Sequence, residues 1–407
     1  MKELALFFRV ISICLVVLGL LYYLYVLICS RRNKLSLIKR DKKKPKFCIL
    51  IPARNESKVI EALLISIGNQ SYKVPFSDVY IIVESKADKT NLIASKYGAN
   101  IIIRKNLNLK RKGYALDEGV KEIIKKHSYD AYFIFDADNV LDKNYFKNML
   151  NTYISGYDIG IGYRNCKNGN DNVISACSAL TFSMVNTISN KRKMKNHNTL
   201  TISGTGFYVT GYLIDEWKGY PFNSLTEDYE LTLYATTRGL STSYNEKAIF
   251  YDEQPTKYSV TKTQRVRWIR GYFDSRRKYI AKLREKRSLH TANYGSIISE
   301  IAGVKPFIMS IIGILFFILS DLMLMILNCN YVVVLFLILL VFELYTMLSL
   351  ITLIIIIKER GKLDLNSSIS IKAILFNPIY LFSYIPCAIK ALVVKDVSWD
   401  RIDHNKN

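Results

Sequence analysis

The sequence predicts an α/β domain held between apolar segments long enough to cross a membrane. Three observations predict it. Short apolar runs alternate with helically spaced ones between residues 47 and 300, small polar motifs follow several of those runs, and long apolar stretches lie toward both ends. Half of the 407 residues are apolar, yet the formal net charge is +23. Two such properties coexist only when they are separated along the chain.

From Leu4 to Cys29 the chain is almost wholly apolar, broken by Arg9, and Phe307–Leu327 and Tyr331–Ile357 are two further runs. Each reaches the roughly 20 residues that a hydrocarbon core requires. The first run is too long for a signal-peptide core of about 7–15 residues, and no small-residue cleavage site follows it. A fourth stretch, Ile371–Val394, contains Pro378, Pro386, Lys372 and Lys390; it can span, lie in the interface, or dip in and return. Arg31–Lys46 carries nine Lys/Arg against one Asp, which by the positive-inside rule places it and the region after it in the cytoplasm. Basic runs also bind nucleic acid, but beside a membrane helix anionic head groups are the simpler partner. No nucleic acid is expected. The expected organisation is a transmembrane helix over 1–30, a basic juxtamembrane segment over 31–46, a cytoplasmic catalytic domain over 47–300, transmembrane or interfacial helices over 301–396 and a tail over 397–407. That is a multi-pass protein of the cell membrane. The seven Cys and four His are scattered, with no Cys-x-x-Cys, so neither a disulfide framework nor a zinc site is expected, and a reduced compartment fits.

Within the α/β region, Phe47–Ile51 is a continuous apolar run ending at Pro52, as in a buried parallel strand. Val59, Ile60, Leu63, Leu64 and Ile67 then follow helical spacing within 56–70. Val79–Val83 predicts a second strand, Thr90–Tyr97 a helix, Ile101–Ile103 a third strand, 114–126 a helix, and Ala131–Phe135 a fourth strand. Ligands of open α/β sheets bind beyond the carboxyl ends of the strands. Those ends carry Asn55 and Glu56, Glu84 to Asp88, and Asp136 and Asp138. No Gly-x-Gly-x-x-Gly or Walker lysine follows the first strand, which excludes the ordinary dinucleotide and P-loop sites.

The motifs have distinct chemistry. Asp136-Ala-Asp138 offers two carboxylates at a strand end, enough to hold Mg²⁺ together with substrate phosphates, or else forms a solvated turn. Lys110-Arg-Lys112-Gly113 opens a helix, and cations at a helix N-terminus suit phosphate; a plain basic loop reads the same. Thr226-Glu227-Asp228 precedes a helical run, so it is either capping chemistry or a general base for an acceptor hydroxyl. Gln264, Arg267 and Trp268 share about one helical turn. Arg267 can grip a diphosphate, and Trp268 is either a sugar platform or an interfacial anchor. Ser203-Gly204-Thr205-Gly206 permits close backbone approach or simply turns. Asp321 and Glu343 stand inside apolar runs, where they can line a glycan path or pair with a neighbouring helix.

In this order the motifs resemble membrane-integrated family 2 glycosyltransferases of the cellulose, chitin and hyaluronan synthase type. Ile51-Pro52-Ala-Arg54-Asn-Glu56 is similar to their first strand and base-contacting loop. Lys112-Gly113-x-Ala115-Leu116 is similar to the segment near uridine and the phosphates, and Tyr251-Asp-Glu-Gln-Pro255 to a stretch in bacterial members. The resemblance covers about residues 45–277 and implies an α/β fold of GT-A type between N- and C-terminal transmembrane helices. It implies a UDP-sugar donor bound by Pro52, Arg54, Glu56, Glu84 or Asp88, Lys112, Gly113, Asp136, Gln264 and Arg267, with Mg²⁺ or Mn²⁺ on Asp136 and Asp138. Asp228 would be the catalytic base, and Gly204, Thr205, Gly206, Glu227 and Trp268 would meet the acceptor. Two departures stand out. Glu84 replaces the family's usual Asp after the second strand, and Gly204-Thr-Gly-Phe207 differs from the Ser-Gly-Pro of hyaluronan and chitin synthases. The expected activity is inverting transfer to a growing β-linked exopolysaccharide or capsule chain. The alternatives are single addition to a lipid-linked acceptor and a sugar-responsive protein without catalysis. Oligomers or accessory subunits are compatible with each.

Overall fold

The computed structural model describes residues 2–31, 33–41, 44–289, 291–328 and 332–394; Cys329 and the expected tail over 397–407 lie outside them. After helix α1 (Lys2–Cys29), strands β1 (Phe47–Pro52), β2 (Val79–Val83), β3 (Asn100–Ile103) and β4 (Ala131–Ile134) pair in parallel in the order β3-β2-β1-β4. The bodies of β1, β2 and β4 are buried, which is why they read as continuous apolar runs rather than alternating ones. Helices α2 (Ile60–Gly68) and α3 (Thr90–Lys96) cover one face, and α4 (Lys112–Ile123) covers the other.

The second half of the sheet is mixed. After the two-residue β5 (Val140–Leu141) and helix α5 (Tyr145–Ile154) come β6 (Ile159–Cys166), β7 (Phe207–Thr210) and β8 (Thr242–Asp252). β7 is antiparallel to both β4 and β6, β8 is parallel to β6, and the full order is β3-β2-β1-β4-β7-β6-β8-β5. β6 and β8 carry Arg, Asn, Glu and Lys within their length, so they lack the apolar signature by which β1 to β4 are recognised. Between them, α6 (Val173–Met184) starts at a capping box, in which the Asn172 side chain accepts from the Ile174 and Ser175 N–H groups. A π-helical turn over Val185–Asn190 leads to α7 (Lys191–Lys195). The segment α8 (Gly211–Trp217) then precedes α9 (Glu227–Arg238) and the long α10 (Tyr258–Ser288).

The remaining helices are α11 (Tyr294–Ala302), α12 (Lys305–Asn328), α13 (Val332–Lys358), α14 (Ser367–Phe382) and α15 (Tyr384–Val393). Among the described residues, four segments are long and apolar enough to cross a membrane: Lys2–Cys29, Tyr294–Leu327, Ile338–Lys358 and Ser367–Val393. α1 and α12 pack antiparallel, with the Ser320 hydroxyl donating to the Ala5 carbonyl and Cys29 clustering with Ala302 at the other end. Of the two acidic residues in the apolar runs, Asp321 pairs with Arg9 across this helix pair, while Glu343 is exposed on α13.

The proline-containing fourth stretch breaks at Ser383 into α14 and α15. Both ends of α14 touch the α/β domain. The Asn366 N–H donates to the Asn170 side chain, and Arg265 of α10 donates to the Tyr380 carbonyl at 2.9 Å and to the Ser383 hydroxyl. The Arg265 guanidinium lies between the rings of Tyr380 and Tyr384, at 3.9 and 3.8 Å from their centroids. This doubly stacked cation is 1% exposed, and desolvation makes cation–π contacts strongest in such a setting. The α14–α15 pair is thereby fixed to the helix that carries Gln264, Arg267 and Trp268.

Candidate active site

The site is built where β4 ends. The Asp136 N–H donates to the Thr205 hydroxyl at 2.9 Å, and that hydroxyl donates to the Asn139 side chain. The Gly206 N–H donates to the Ile134 carbonyl at 2.9 Å. The Ser203–Gly206 turn therefore laces beneath Asp136-Ala-Asp138, with Thr205 only 1% exposed. Asp138 accepts from the Asn139 side chain at 3.1 Å and from the Glu253 N–H at 3.4 Å.

Lys112, the first residue of α4, reaches into this cluster. Its ammonium donates to Asp136 and to the Gly204 carbonyl at 2.7 Å, and lies 3.9 Å from Glu227. The neighbouring Gly113 has to be glycine for a packing reason: a Cβ there would come within 1.9 Å of the Phe222 carbonyl oxygen. That approach lets the backbone before α9 cross the start of α4 and deliver Glu227 and Asp228 to the site. Gly204 plays the matching part opposite, with φ +61° and a hypothetical Cβ only 3.2 Å from Asp228 Oδ2. Thr226 precedes α9 without a side-chain cap bond, and its hydroxyl has no hydrogen-bond partner. Thr226 itself therefore does not cap α9, whereas Asp228 accepts from the Tyr229 N–H in the first turn at 2.8 Å.

The charges act on one another. Burial pushes the Glu227 carboxyl up to about 7, against the pull of Lys112. Burial also raises Asp228, opposed by the Tyr229 N–H, Lys112, Arg164 and Arg267. Burial works against the Lys112 ammonium, but Asp136 and Glu227 outweigh it and hold its pKa above the ordinary value. Arg267 is lowered by burial despite the field of Glu227, Asp228 and Asp136. Its Nε has no hydrogen-bond partner among the described residues.

Trp268 is held edge-on by Phe182, with centroids 6.2 Å apart at 76°. Arg164 stacks on the Phe182 ring, 3.8 Å from its centroid, and donates through Nε to Asp252 at 2.7 Å. Gln264 is half-buried one turn before Trp268. Arg164, Phe182 and Asp252 were not singled out from the sequence. The available signal was Asp252 in Tyr251-Asp-Glu-Gln-Pro255; nothing local marks Arg164. Arg164→Met is expected to destabilise the fold by about 3 kcal/mol or more, because it strands a buried carboxylate. Adding Asp252→Asn should recover part of that loss in a thermal-melt cycle; equal melts for the single variant and the wild type would refute the pairing.

At the other end of the cleft, Arg54 pairs with Glu84 at 2.9 Å, and Arg104 reaches Glu84 at 3.4 Å and Glu118 at 3.1 Å. Arg104 was also missed in the sequence. Asp88 is 6% exposed and accepts from the Asn55 and Thr90 N–H groups at 2.7 and 2.9 Å, so it holds the Pro52–Glu56 loop against α3. The Glu56 N–H donates to the Thr90 hydroxyl at 3.0 Å. Glu84 is the acidic group that stands at the open end of β2.

Among the described residues no cluster of three or more His, Cys, Asp or Glu could hold a metal by itself. Asp136 and Asp138 supply two carboxylates, the number Mg²⁺ commonly takes when phosphate oxygens and water complete its shell. The donor set fits a divalent cation that arrives with a phosphorylated substrate.

A family described as "Glycosyltransferase like family 2" matches residues 45–271, more than half of the chain. The chain belongs to this glycosyltransferase family. A curated family relative, "Probable glycosyltransferase YdaM" of Bacillus subtilis, is 26% identical over 312 residues, covering 70% of this chain and 71% of the relative. Among solved structures, the mannosyltransferase PcManGT from Pyrobaculum calidifontis, in complex with GDP-Man and Mn²⁺, superposes with a TM-score of 0.60 at 12% identity, covering 96% of this chain and all of that one. It shows the GT-A fold. S. aureus TarS 1-349 in complex with UDP matches more weakly, with a TM-score of 0.43 at 16% identity over 64% of this chain and 71% of that one.

Proposed function

We propose that this chain transfers a hexose or N-acetylhexosamine from a UDP-sugar, with inversion, to a growing β-linked polysaccharide at the cytoplasmic face of the membrane. The observation that supports it is the meeting of Asp136 and Asp228 across Lys112 and Gly204, with Arg267 in their field. This is one cleft with a leaving-group end and a base. The motif resemblance supports UDP, and the basic stretch after α1 supports the cytoplasmic orientation.

In the proposed reaction the acceptor oxygen attacks the anomeric carbon while the bond to the diphosphate oxygen breaks. The hydroxyl proton passes to Asp228, and the bonding electrons leave with UDP. Attack from the opposite face turns an α-linked donor into a β-glycoside. Lys112 and Arg267 hold the negative charge that grows on the diphosphate. Mg²⁺ or Mn²⁺ on Asp136 and Asp138 supplies Lewis-acid neutralisation of the same oxygens when bound. Trp268, packed against Phe182, presents a ring face for the acceptor sugar, and Arg54 and Glu84 flank the nucleoside.

A second reading is single addition to a lipid-linked acceptor. It is favoured by Asp321, which is taken up by Arg9 between α1 and α12 instead of facing a glycan path. Membranes containing the chain, incubated with labelled UDP-sugars with and without Mn²⁺, separate the two. A long, lipid-free polymer from one donor supports the synthase, and a short product extractable into organic solvent supports the second reading. Absence of UDP release with every donor would overturn both.

A further inference from the structure

We propose a second binding site, for the phosphate headgroup of an anionic membrane lipid, in a cavity between α1, α7 and α11; it rests on the reading that α1 and α12 cross the bilayer. The cavity has a volume of about 180 Å³ and opens where α1 ends and α12 begins, between Ser30 and Pro306. Two kinds of wall meet there. Tyr23, Val26 and Leu27 of α1 form an apolar side, while Arg192, Lys193 and the Ser299 hydroxyl form a polar one. That division matches a lipid at the depth where acyl chain gives way to headgroup.

The charge favours an anion. The Lys193 side chain is 13% exposed; it donates to the Thr201 hydroxyl at 2.7 Å and stands 3.9 Å from Glu300. Burial lowers its pKa, with Glu300 opposing and Arg192 adding to the fall. A phosphate would relieve that strain through charge-assisted hydrogen bonds. Glu300, the one carboxylate on the wall among the described residues, is shared with Tyr229 at 2.8 Å and Arg276 at 4.0 Å. Arg192 lines the cavity with no ion pair among the described residues.

The cavity also has a short path to the catalytic cleft. Glu300 accepts from the Tyr229 hydroxyl, and the Tyr229 backbone N–H donates to Asp228 Oδ1 at 2.8 Å. Tyr229 stacks on Tyr272 of α10 with centroids 5.0 Å apart. One residue thus touches both the cavity wall and the carboxylate assigned as base, so an occupied headgroup site steadies the start of α9.

The test is a titration of the detergent-purified full chain with dioctanoyl phosphatidylglycerol, read by native mass spectrometry. The variants are Arg192→Gln, at an exposed position, and Arg192→Gln/Lys193→Gln. One lipid per chain is expected for the wild type, with affinity reduced about tenfold in the single variant, the equivalent of about 1.4 kcal/mol, and further in the double. Wild-type affinity in both variants would overturn the site. Displacement of the lipid by an equal concentration of inorganic phosphate would assign the same cations to a soluble phosphate and overturn the lipid source. UDP-sugar binding measured on the same samples is expected to be unchanged, which separates loss of this site from loss of the transferase cleft. Release of the chain from membranes by alkaline carbonate would overturn the membrane reading itself.

Discussion

Asparagine in place of Asp228 is expected to lower transfer by about 10²–10⁴-fold, the usual contribution of a positioned general base, while UDP-sugar binding persists. The substitution keeps the size of the side chain and its ability to accept from the Tyr229 N–H, so the fold around Gly204 should stand. It removes only the capacity to take a proton. Turnover close to that of the wild type would refute the assignment. The surroundings also fix a pH signature. Asp228 works only when ionised, and burial raises its pKa next to Glu227, which is itself pushed up to about 7. The acid limb of kcat/KM should therefore lie above the ordinary carboxylate range near 4, with activity lost as pH falls. Glu227→Gln removes a neighbouring negative charge and should move that limb to lower pH. The same shifts bear on stability. A carboxyl with a raised folded-state pKa holds protons that the unfolded chain has released, so the fold loses stability as pH rises from the ordinary range toward 7.

Asp138→Asn is expected to produce a loss of similar size for a different reason. Asp136 is already engaged by Lys112, whereas Asp138 meets an amide and a distant backbone N–H. As the second carboxylate at the end of β4, Asp138 is the natural partner of Asp136 in holding a cation. Its loss should raise the Mn²⁺ concentration needed for half-maximal activity by about 10-fold or more, the scale on which even supporting residues of metal sites act. Chelation of the wild type should abolish transfer and Mn²⁺ should restore it. A variant whose metal requirement equals that of the wild type would remove Asp138 from the site.

Much of this chain was legible before its folding was known, and the legible parts share a cause. The strands β1, β2 and β4 are buried on both faces, so their apolar runs are continuous and end where the ligand groups begin. Asp136, Asp138, Lys112, Asp228, Arg267 and Trp268 were singled out because their residue types are few and their local spacing matches a chemical task. β6 and β8 have no such apolar signature, because polar residues such as Arg164 and Asp252 interrupt them. The choice between Glu84 and Asp88 was open in the sequence because both are acidic and close in number. Their surroundings differ: Asp88 is consumed by two backbone N–H groups, and Glu84 stands at the lip between two arginines.

By itself the sequence determined the α/β class, the membrane-length segments and the set of candidate side chains, since each follows from residue type and short-range periodicity. Only the tertiary structure decided who meets whom. β7 inserts antiparallel beside β4, and that placement carries the Gly204 turn beneath Asp136 and against Asp228. Arg265, within a motif read for its neighbours, turns away from the cleft to clamp the break between α14 and α15. Arg164 is joined to Asp252 across 88 positions of chain. Such partners are chosen by strand order and by the cost of leaving buried charge unpaired, and neither leaves a mark in local sequence.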